Sequence, residues 1–573
     1  MLPTDRQTEG LSGFPSVDKP WLKYYSKEAI RAQLPECTIY EYLVENNKDY
    51  PSDIAINYLG RKITYKELFD NIDKTAAAFL KAGVKEKEIV TIALPSIPEA
   101  LYCVYALNKI GAVANMIHPL PGKEEMLNYL NEVRSKVVII FDGAYETLVN
   151  DIGRTSVEKV IVASPADSLL VTLKIAYKLK VKKPKVDGKV FRSWKTFIQE
   201  GKGTDARTVK KDCHEVAIIS HTGGTTGKPK GVMCSDYALN ALMYQIVCNF
   251  KFDRCGCSLV VLPPFVNYSL VEATMAMLSI GYTIALIPKY DTDRFAEYIK
   301  KYRPTVILSI PAYWNALLEN RIKTDMSFFE HIYYGGEGMS EENEKAINEL
   351  LKECGSKTTL CKGLGSTELM AAASQSFPEC NPIGSVGIPL VKVNCCVEDP
   401  ETGTELQYGK EGELCFSGPT LMIGYYGKQK ETDDIIKIHS DGERWLHTGD
   451  LGYVNEDGVI FVTGRIKRII MTRDENSQVT KMFPDRIEKT IYLHQMVEAC
   501  CVIGVEDKER INYPKAFIML KDKKNENSIK KEIIDICAQN LPEYMIPEVI
   551  EIVEDLPRTP RGKIDYRALE KSN

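Results

Sequence analysis

The sequence lacks the cysteine patterns that mark zinc modules and secreted scaffolds. Cysteine occurs sixteen times among 573 residues, but no Cys-x-x-Cys pair is present and the cysteines are spread thinly. Such a spread favours reduced thiols in a cytosolic protein over a disulfide framework. We therefore expect a cytoplasmic location.

Long apolar runs and an excess of positive charge are missing as well. The longest apolar stretch, 268–287, is interrupted by Glu272 and predicts a buried helix followed by a strand. The segment 1–10 has no apolar signal core. The formal net charge of −5 argues against general affinity for nucleic acid. We expect a soluble protein with no transmembrane segment and no nucleic-acid partner.

Histidine pairs that bind catalytic metals and serine nucleophile turns are also not evident. The seven histidines form no His-Glu-x-x-His pair, and no Gly-x-Ser-x-Gly elbow stands out. His221 and His447 adjoin short motifs, and we interpret both as residues that orient loops. The sequence thus directs attention to anion-binding and carboxylate motifs.

One segment has the composition of a phosphate-binding loop. It reads Thr222-Gly223-Gly224-Thr225-Thr226-Gly227-Lys228-Pro229-Lys230-Gly231, between apolar segments that predict flanking strands. Glycines let backbone N–H groups approach an anion, threonines add donors, and lysines add positive charge. The spacing matches neither a Walker A loop nor a dinucleotide-binding motif. Taken alone, the segment is equally compatible with a plain surface turn.

Alternating helix and strand patterns predict layered α/β structure. A helical pattern runs from Ile63 through Leu80. The strand-like segments are 89–94, 112–117, 137–140 and 160–162. Frequent glycines and short strands between about 359 and 463 predict a β-rich subdomain. The lysine-rich texture after Gly464 indicates a small C-terminal domain, so we expect domains at 1–464 and 465–573 with a boundary near Lys467.

A lysine-rich segment, 168–189, allows two interpretations. It carries seven lysines, with Leu169, Leu170, Leu173 and Tyr177 at roughly helical spacing. It is either a helix that binds a membrane surface or partner, or a solvated face over a stripe of core residues. The second interpretation is favoured, and a peripheral membrane contact stays open.

Four further motifs follow the same chemical theme. They are Tyr333-Tyr334-Gly335-Gly336-Glu337, Gly363-Leu364-Gly365-Ser366-Thr367-Glu368, His447-Thr448-Gly449-Asp450 and Arg558-Thr559-Pro560-Arg561-Gly562-Lys563. The second offers hydroxyls and a carboxylate, the third presents an acid on a predicted tight turn, and the fourth places a lysine on a loop. Asp450 would be able to accept hydrogen bonds from both hydroxyls of a ribose.

Together with the Gly/Thr loop, these motifs resemble the adenylate-forming superfamily, which includes acyl-CoA synthetases, peptide-synthetase adenylation domains and luciferases. The likeness covers Ile63 to Leu569. It implies an α/β protein whose large N-terminal domain has layered α/β subdomains and a β-rich subdomain, followed by a small mobile α+β C-terminal domain. ATP, Mg²⁺ and coenzyme A are the implied cofactor and co-substrates, with a small carboxylic acid as substrate.

The resemblance also implies roles residue by residue. The loop that would hold the β- and γ-phosphates comprises Thr222, Gly223, Gly224, Thr225, Thr226, Gly227 and Lys230. Gly335, Gly336 and Glu337 would lie on the adenine side. Thr367 would contact the α-phosphate, with Gly365 and Ser366 beside it, and Glu368 would bind Mg²⁺. Asp450 would bind ribose, and Arg465 would contact ribose and phosphate. Lys467 would occupy the hinge between the two domains, and Lys563 would serve the adenylation step.

Two departures from the family pattern concern the acid and the thiol. The family often has a histidine after an aromatic residue near Phe265, whereas Val266, Asn267 and Tyr268 follow here. These three residues and Gly363 are candidate contacts to the acyl substrate, and ordinary core is the alternative. The loop 472–480 contains no glycine, so the thiol acceptor is less firmly implied than the adenylation step.

The resulting prediction is an ATP-dependent acid–thiol ligase. It would convert a carboxylic acid to acyl-AMP with release of pyrophosphate, then transfer the acyl group to coenzyme A. The insert after residue 164 and Lys481-Met482-Phe483-Pro484 resemble bacterial fatty-acid-type ligases, so we expect a fatty or other apolar acid. The alternatives are an enzyme that loads a carrier protein, a luciferase-like oxygenase and an inactive nucleotide-binding regulator. Neither the particular acid nor the oligomeric state has a signature in the sequence.

Overall fold

The computed structural model describes residues 11–572 except 182, 183, 185, 187, 223–228, 251, 290, 321, 322, 523, 524 and 559–563. Within them, eight strands form a mostly parallel sheet, called the first sheet. In spatial order its strands are Gly424–Tyr425, Gly231–Ser235, Val216–His221, Val113–Met116, Ile89–Ala93, Val137–Phe141, Lys159–Ala163 and Phe191–Ser193. Its parallel strands read as continuous apolar runs because helices cover such sheets on both faces. The predicted strands near 89, 112, 137 and 160 are confirmed.

The second sheet contains seven of the described strands and is also mostly parallel. In spatial order they are Cys361–Lys362, His331–Tyr334, Val306–Ser309, Cys257–Val260, Thr283–Leu286, Ile54–Tyr58 and Arg61–Thr64. The last two pair antiparallel, and the other pairs are parallel. The carboxyl end of His331–Tyr334 leads directly into Gly335, so this sheet positions one of the predicted nucleotide segments.

Helices surround and separate these sheets. The longer ones in the N-terminal part are Ile39–Asn47, Tyr65–Lys81, Pro98–Lys109, Lys123–Glu132, Val171–Lys180, Asp236–Val247, Phe295–Tyr302, Pro311–Glu319 and Glu341–Glu353. Shorter helices are Pro15–Asp18, Lys27–Arg31, Tyr145–Leu148, Trp194–Glu200, Met277–Ser279 and Gln429–Asp433. Thr64 and Glu67 form a reciprocal capping box that starts the helix predicted after Ile63. Within the described part of the chain, none of the helices combines the length and apolar character that a membrane span needs.

The long apolar stretch forms the buried helix and strand that the sequence predicts. Tyr268–Ala276 is a π-helix, Met277–Ser279 continues it as an α-helix, and Thr283–Leu286 is a central strand of the second sheet. Glu272 lies in the π-helix and is buried. Burial raises the pKa of its carboxyl to about 8.

The β-rich region forms a third, antiparallel sheet. Its strands are Asn394–Glu398, Gly412–Ser417, Arg444–Val454, Ile436–Ile438 and Ile460–Arg465. Asp450 lies within the long strand Arg444–Val454, so the predicted tight turn is wrong. The register shifts between Glu413 and Cys415, where extra residues bulge out of the partner strand. Gly449, with φ of +72°, supplies the backbone conformation that such a bulge needs.

The C-terminal part has its own sheet and core. The sheet contains Val497–Asp507, Ile511–Leu520 and Val549–Ile552, and a separate hairpin contains Ile470–Arg473 and Val479–Met482. The helices are Pro484–Ile491, Glu526–Asn540 and Tyr566–Ser572. The fold class is thus confirmed as α/β, with a large N-terminal and a small α+β C-terminal domain. The boundary at 464/465 stays a prediction.

The lysine-rich segment only partly matches the favoured interpretation. Leu169 is buried and Tyr177 is half-buried in helix Val171–Lys180. Leu170 and Leu173, predicted in the same buried stripe, are 44% and 41% exposed. The stripe is wrong for these two leucines, since Leu170 precedes the first helical turn in an extended conformation and Leu173 lies on an exposed part of the helix surface.

Candidate functional site

The ends of the Gly/Thr loop are fixed by a hairpin of the first sheet. Val216–His221 and Gly231–Ser235 flank the loop and pair antiparallel, with His221 opposite Gly231. The Thr222 backbone N–H donates to the Lys230 carbonyl at 2.9 Å, and the Lys230 N–H donates to Thr222 Oγ1 at 3.1 Å. These two bonds extend the hairpin by one step and close the base of the loop.

The interior of this loop lies outside the described residues. It comprises Gly223, Gly224, Thr225, Thr226 and Gly227. Their assignment to the phosphates of ATP therefore stays a prediction.

Tyr425 connects this loop to the predicted Mg²⁺ ligand. The strand Gly424–Tyr425 pairs with Gly231–Ser235, which places Tyr425 beside the loop. Lys230 Nζ lies 4.3 Å from the centroid of the Tyr425 ring, and Tyr425 Oη donates to Glu368 Oε1 at 2.6 Å. Burial and the Glu368 carboxylate raise the pKa of the Tyr425 hydroxyl, so it stays a hydrogen-bond donor at neutral pH. Loop cation and acid thus share one aromatic side chain.

The two glycines of the Gly363–Glu368 motif are required by close packing. A Cβ atom on Gly365 would lie 1.6 Å from the Ala371 carbonyl oxygen, and one on Gly363 would lie 2.5 Å from that of Ser374. This packing presents Ser366, Thr367 and Glu368 on the following short 3₁₀ turn, Thr367–Leu369. The space beside the Gly363 Cα is therefore filled by backbone, and its predicted contact to the acyl substrate stays a prediction.

Ser366 offers a hydroxyl beside Thr367. Its Oγ is buried and makes no hydrogen bond within the described part of the chain. A buried hydroxyl without a partner costs stability unless a ligand or water pairs with it. This position suits a polar ligand atom such as a phosphate oxygen.

The predicted adenine-side segment ends a strand of the second sheet. The Gly335 N–H donates to the Ser309 carbonyl at 3.0 Å, and Gly336 turns the chain with φ of +80°. Glu337 is exposed. A Cβ atom on Gly335 would lie 3.4 Å from the Tyr268 ring, so this predicted acyl-side residue contacts the adenine-side segment.

Asp450 and Arg465 face each other across the third sheet. They are directly opposite in register, and Arg465 Nε contacts Asp450 Oδ1 at 2.7 Å. The Asp450 side chain is buried, whereas that of Arg465 is 55% exposed. The Asp450 N–H donates to Thr448 Oγ1 at 3.0 Å, which holds the bulge. A buried acid paired with an exposed arginine can accept hydroxyl groups while the cation reaches outward to a phosphate.

Asn267 ties the candidate acyl-side residues to the loop hairpin. Its Oδ1 accepts from Ser220 Oγ at 2.5 Å, and its Nδ2 lies 3.7 Å from Cys234 Sγ. Ser220 and Cys234 lie on the two strands that flank the loop. Val266 packs against the main core. The structure thus brings Asn267 to the base of the loop, and a contact of any of these residues to substrate stays a prediction.

A family model for AMP-binding enzymes matches residues 43–426, and a model for the C-terminal domain of AMP-binding enzymes matches 486–563. The chain belongs to the AMP-binding enzyme family. The predictions of an adenylate-forming family and of an AMP-forming ligase are therefore confirmed.

Relatives of this AMP-binding enzyme match it over nearly the whole chain. A long-chain-fatty-acid–CoA ligase of Bacillus subtilis (strain 168) is 28% identical over 564 residues, covering 96% of this chain and 97% of the relative. A probable 4-coumarate–CoA ligase 1 of Dictyostelium discoideum is 28% identical over 563 residues, covering 96% and 98%.

A solved structure shares the fold. The anthranilate CoA ligase AuaEII, in complex with anthranoyl-AMP, is similar with a TM-score of 0.79 and 20% identity, over 95% of this chain and 98% of that structure. At this identity the likeness concerns the fold alone.

The end of the AMP-binding enzyme chain carries two further predicted residues. Lys467 is exposed within the 3₁₀ turn Ile466–Arg468. Lys563 lies outside the described residues, so its role in adenylation stays a prediction.

Proposed function

We propose that this enzyme activates a fatty or other apolar carboxylic acid as its acyl adenylate and transfers the acyl group to coenzyme A. The contact series Lys230–Tyr425–Glu368 carries the proposal. It joins a cation at the end of the loop to the acid predicted to bind Mg²⁺. A triphosphate that loses pyrophosphate needs positive charge and a metal-binding carboxylate close together.

In the first step, a carboxylate oxygen of the acid attacks the α-phosphorus of ATP. The new bond joins that oxygen to phosphorus, and the bond to the leaving pyrophosphate breaks. Both reactants are anionic, so Lys230, Arg465 and Lys563 are proposed to reduce their repulsion. Glu368 and Thr367 offer the hard oxygen donors that suit Mg²⁺, whose Lewis acidity would act on the phosphates.

The nucleoside part of ATP is proposed to bind between the motif that ends a strand of the second sheet and the motif in the third sheet. Gly335, Gly336 and Glu337 would flank adenine, and Asp450 would accept the ribose hydroxyls. The buried position of Asp450 favours recognition of hydroxyl donors, because a hydrogen bond to a carboxylate is electrostatically stronger away from bulk water. In the second step, the thiol of coenzyme A attacks the acyl carbon; the C–S bond forms, the thiol loses its proton and AMP leaves.

The hinge is proposed at Lys467, between two anchored arginines. Arg465 is paired with Asp450 in the third sheet. Arg468 contacts Asp485 at 2.7 Å and Glu488 at 2.6 Å on helix Pro484–Ile491. The Arg465 side chain is therefore anchored in the third sheet and the Arg468 side chain in the C-terminal part, which supports rotation between these two residues, at Lys467, rather than directly before Arg465.

The choice of acid is the finer part of the proposal. One of the two relatives is named for a long-chain fatty acid, which is aliphatic, and the other for coumarate, which is aromatic. The candidate acyl residues Val266 and Tyr268 adjoin the main apolar core. We favour a fatty acid because such surroundings suit an uncharged chain.

A pyrophosphate-release screen tests this proposal. Fatty, aryl and amino acids are each supplied with ATP and Mg²⁺, with and without coenzyme A. We expect acid-dependent release with fatty acids and an acyl-CoA product. Release without any thioester would favour a carrier-protein acceptor, preference for aryl acids would overturn the substrate choice, and no release with any acid would contradict the ligase.

A matched pair of variants checks that the release comes from the described site. Asp450→Asn should lower the rate about tenfold or more, since it removes a charged acceptor. Asp457→Asn changes an exposed aspartate that pairs with Lys23 and should leave the rate unchanged. Equal losses in both variants would contradict the role of Asp450.

A peripheral membrane contact forms part of the same proposal, together with a cytoplasmic location. Val171, Ile175 and Leu179 of helix Val171–Lys180 are 73%, 57% and 83% exposed, within a segment that carries seven lysines. Exposed apolar and basic residues together suit an anionic lipid surface. Sedimentation with phosphatidylserine vesicles should therefore exceed that with phosphatidylcholine vesicles, and Leu179→Glu should abolish the difference.

A further inference from the structure

One cavity of the molecule lies apart from the predicted nucleotide and acyl motifs. Its volume is about 290 Å³, close to the lower size limit of about 300 Å³ for small-molecule pockets. It lies between helices Tyr65–Lys81, Pro98–Lys109 and Trp194–Glu200, beside the edge strand Arg61–Thr64. None of the described residues that line it belongs to the motifs assigned to ATP, Mg²⁺ or the acid. We call it the helix cavity.

A buried acid forms the inner wall of the helix cavity. Glu99 is 1% exposed, and its Oε1 accepts from Ser168 Oγ at 2.6 Å. Its Oε2 makes no hydrogen bond within the described part of the chain. Burial raises the pKa of Glu99 to about 7. A buried carboxyl oxygen without a partner is costly, so a ligand that donates a hydrogen bond to Oε2 would be stabilised here.

Cations line the more exposed part of the same cavity. Arg61 is half-buried, and Lys74 and Lys195 are exposed. The side chains of these three residues make no ion pair or hydrogen bond with another residue of the described ranges. Lys174 also lines the cavity, and its Nζ donates to the Asp167 carbonyl at 3.2 Å. Three cations without a partner in the protein favour an anionic ligand.

The charge of the lining fits a phosphate monoester. The four cations and the two acids of the lining, Glu99 and Asp167, leave a net charge of +2 when both acids are ionised. A phosphate monoester carries a charge of about −1.5 to −2 at neutral pH. Its three terminal oxygens can accept from a guanidinium and from ammonium groups together, whereas a carboxylate offers one charge and two oxygens.

The remaining side chains favour a hydroxylated ligand over an acyl chain. Most residues that line the helix cavity are polar or charged, and Trp194 and Ile198 are the exceptions. Asn71, Tyr102 and Gln199 add neutral hydrogen-bonding groups. A hydrocarbon chain therefore has few apolar side chains to pack against, whereas a polyol has several hydrogen-bond partners.

We propose that the helix cavity binds the phosphate monoester of a small polyol. The phosphate would contact Arg61, Lys74 and Lys195, and a hydroxyl group would donate to Glu99 Oε2. Glycerol 3-phosphate has this chemistry. The site is separate from the adenylation motifs, so the proposal does not depend on which acid the enzyme activates.

The same headgroup chemistry has two sources, a free ester in solution or a lipid at a membrane surface. Lys174 belongs to helix Val171–Lys180, whose Val171, Ile175 and Leu179 are exposed. The helix that contributes a cation to the cavity thus also carries the exposed apolar residues. Lysophosphatidate presents the phosphate and one free hydroxyl of glycerol 3-phosphate at a lipid surface.

Calorimetric titration of the full chain with glycerol 3-phosphate tests the site. The titration is done at pH 8 in a buffer without phosphate, and inorganic phosphate and glycerol are titrated separately. We expect one ester per chain, bound at least about tenfold more tightly than inorganic phosphate, because the phosphate ion lacks the hydroxyl that donates to Glu99.

Two substitutions separate the contacts of the phosphate from that of the hydroxyl. Arg61→Gln should weaken both glycerol 3-phosphate and inorganic phosphate at least about tenfold. Glu99→Gln should weaken the ester about tenfold, while inorganic phosphate binds equally or more tightly because a negative charge has been removed. Lys195 is exposed, so Lys195→Gln provides the test of the phosphate contact if Arg61→Gln does not fold.

The chain offers two matched controls. Lys62→Gln removes an exposed cation next to Arg61 in the sequence, and Lys230→Gln removes the cation at the end of the Gly/Thr loop. Both variants should bind glycerol 3-phosphate like the unmodified chain. Loss of binding in Lys230→Gln would assign the ester to the Gly/Thr loop and overturn the proposal.

Vesicles distinguish the two sources. Sedimentation with phosphatidylcholine vesicles that contain lysophosphatidate is compared with that for vesicles of equal charge that contain phosphatidylserine. A preference for lysophosphatidate that is lost in Arg61→Gln would assign the headgroup, and binding of the soluble ester without that preference would assign a free ester. Binding of neither form, equal losses of ester and phosphate in Glu99→Gln, or unchanged binding in both Arg61→Gln and Lys195→Gln would overturn the proposal.

Discussion

Two substitutions of Tyr425 test separately its hydrogen bond to Glu368 and its ring contact with Lys230. Tyr425→Phe removes the hydroxyl that donates to Glu368 Oε1 at 2.6 Å, while the ring under Lys230 remains. A hydrogen bond to a charged group contributes about 1.5–3 kcal/mol. Because 1.4 kcal/mol is tenfold, we expect the adenylation rate at limiting Mg²⁺ to fall about tenfold or more. Tyr425→Leu also removes the cation–π contact and should cost a further factor of about two to five.

The assay is ATP–pyrophosphate exchange across a range of Mg²⁺ concentrations. If Tyr425 orients Glu368 for the metal, the Phe variant should need more Mg²⁺ to reach half its maximal rate. Tyr426→Phe makes the same chemical change one residue away and should leave the Mg²⁺ dependence unchanged. An unaltered Mg²⁺ dependence in Tyr425→Phe would refute the reasoning.

Three further predictions address other parts of the molecule. Lys563→Ala should slow acyl-AMP formation roughly a hundredfold while thioester formation from supplied acyl-AMP is much less affected, and equal losses would contradict its role. Lys467→Pro should restrict the hinge and slow thioester formation more than adenylation, so an unchanged second step in single-turnover assays would count against a hinge there. Burial raises the pKa of Glu272 to about 8, against an ordinary value of 4.5. Between these pH values the folded state keeps a proton that the unfolded state releases, so the free energy of unfolding falls as pH rises. Glu272→Gln should thus stabilise the protein by up to about 4 kcal/mol at pH 8 and much less at pH 5, whereas exposed Glu146→Gln should not, and a pH-independent difference in melting temperature would contradict this.

The sequence predicts those features that depend on local pattern. Parallel strands such as Val137–Phe141 are continuous apolar runs, and a helical pattern marks the helix Tyr65–Lys81. The strand that leads into the loop follows from the apolar residues before Thr222, whereas its antiparallel pairing with Gly231–Ser235 does not. The residues that lie opposite each other on neighbouring strands were not predictable, because they depend on which strands pair.

The unpredicted features depend on contacts between distant segments. Tyr425 meets Glu368 across 57 positions of chain, and no local pattern marks that contact. Cys396, Cys415 and His447 lie side by side on three strands of the third sheet, and no spacing along the chain marks that arrangement.

Local context also explains the two wrong expectations. The tight turn at Asp450 was inferred from Gly449, yet a glycine with positive φ serves a strand bulge equally well. The buried stripe through Leu170 assumed that the helix begins earlier than Val171. One error concerns where a helix begins and the other where a strand bends. Both depend on contacts with other parts of the chain.

Transfer of a labelled oxygen tests the central claim of an adenylate intermediate most directly. A fatty acid carrying ¹⁸O at both carboxylate oxygens is converted to acyl-CoA with ATP, Mg²⁺ and coenzyme A, and the products are examined by mass spectrometry. The oxygen that attacks the α-phosphorus stays on phosphorus when the thiol displaces AMP, so we expect one ¹⁸O in each AMP formed. Acyl-CoA produced together with unlabelled AMP would contradict the account.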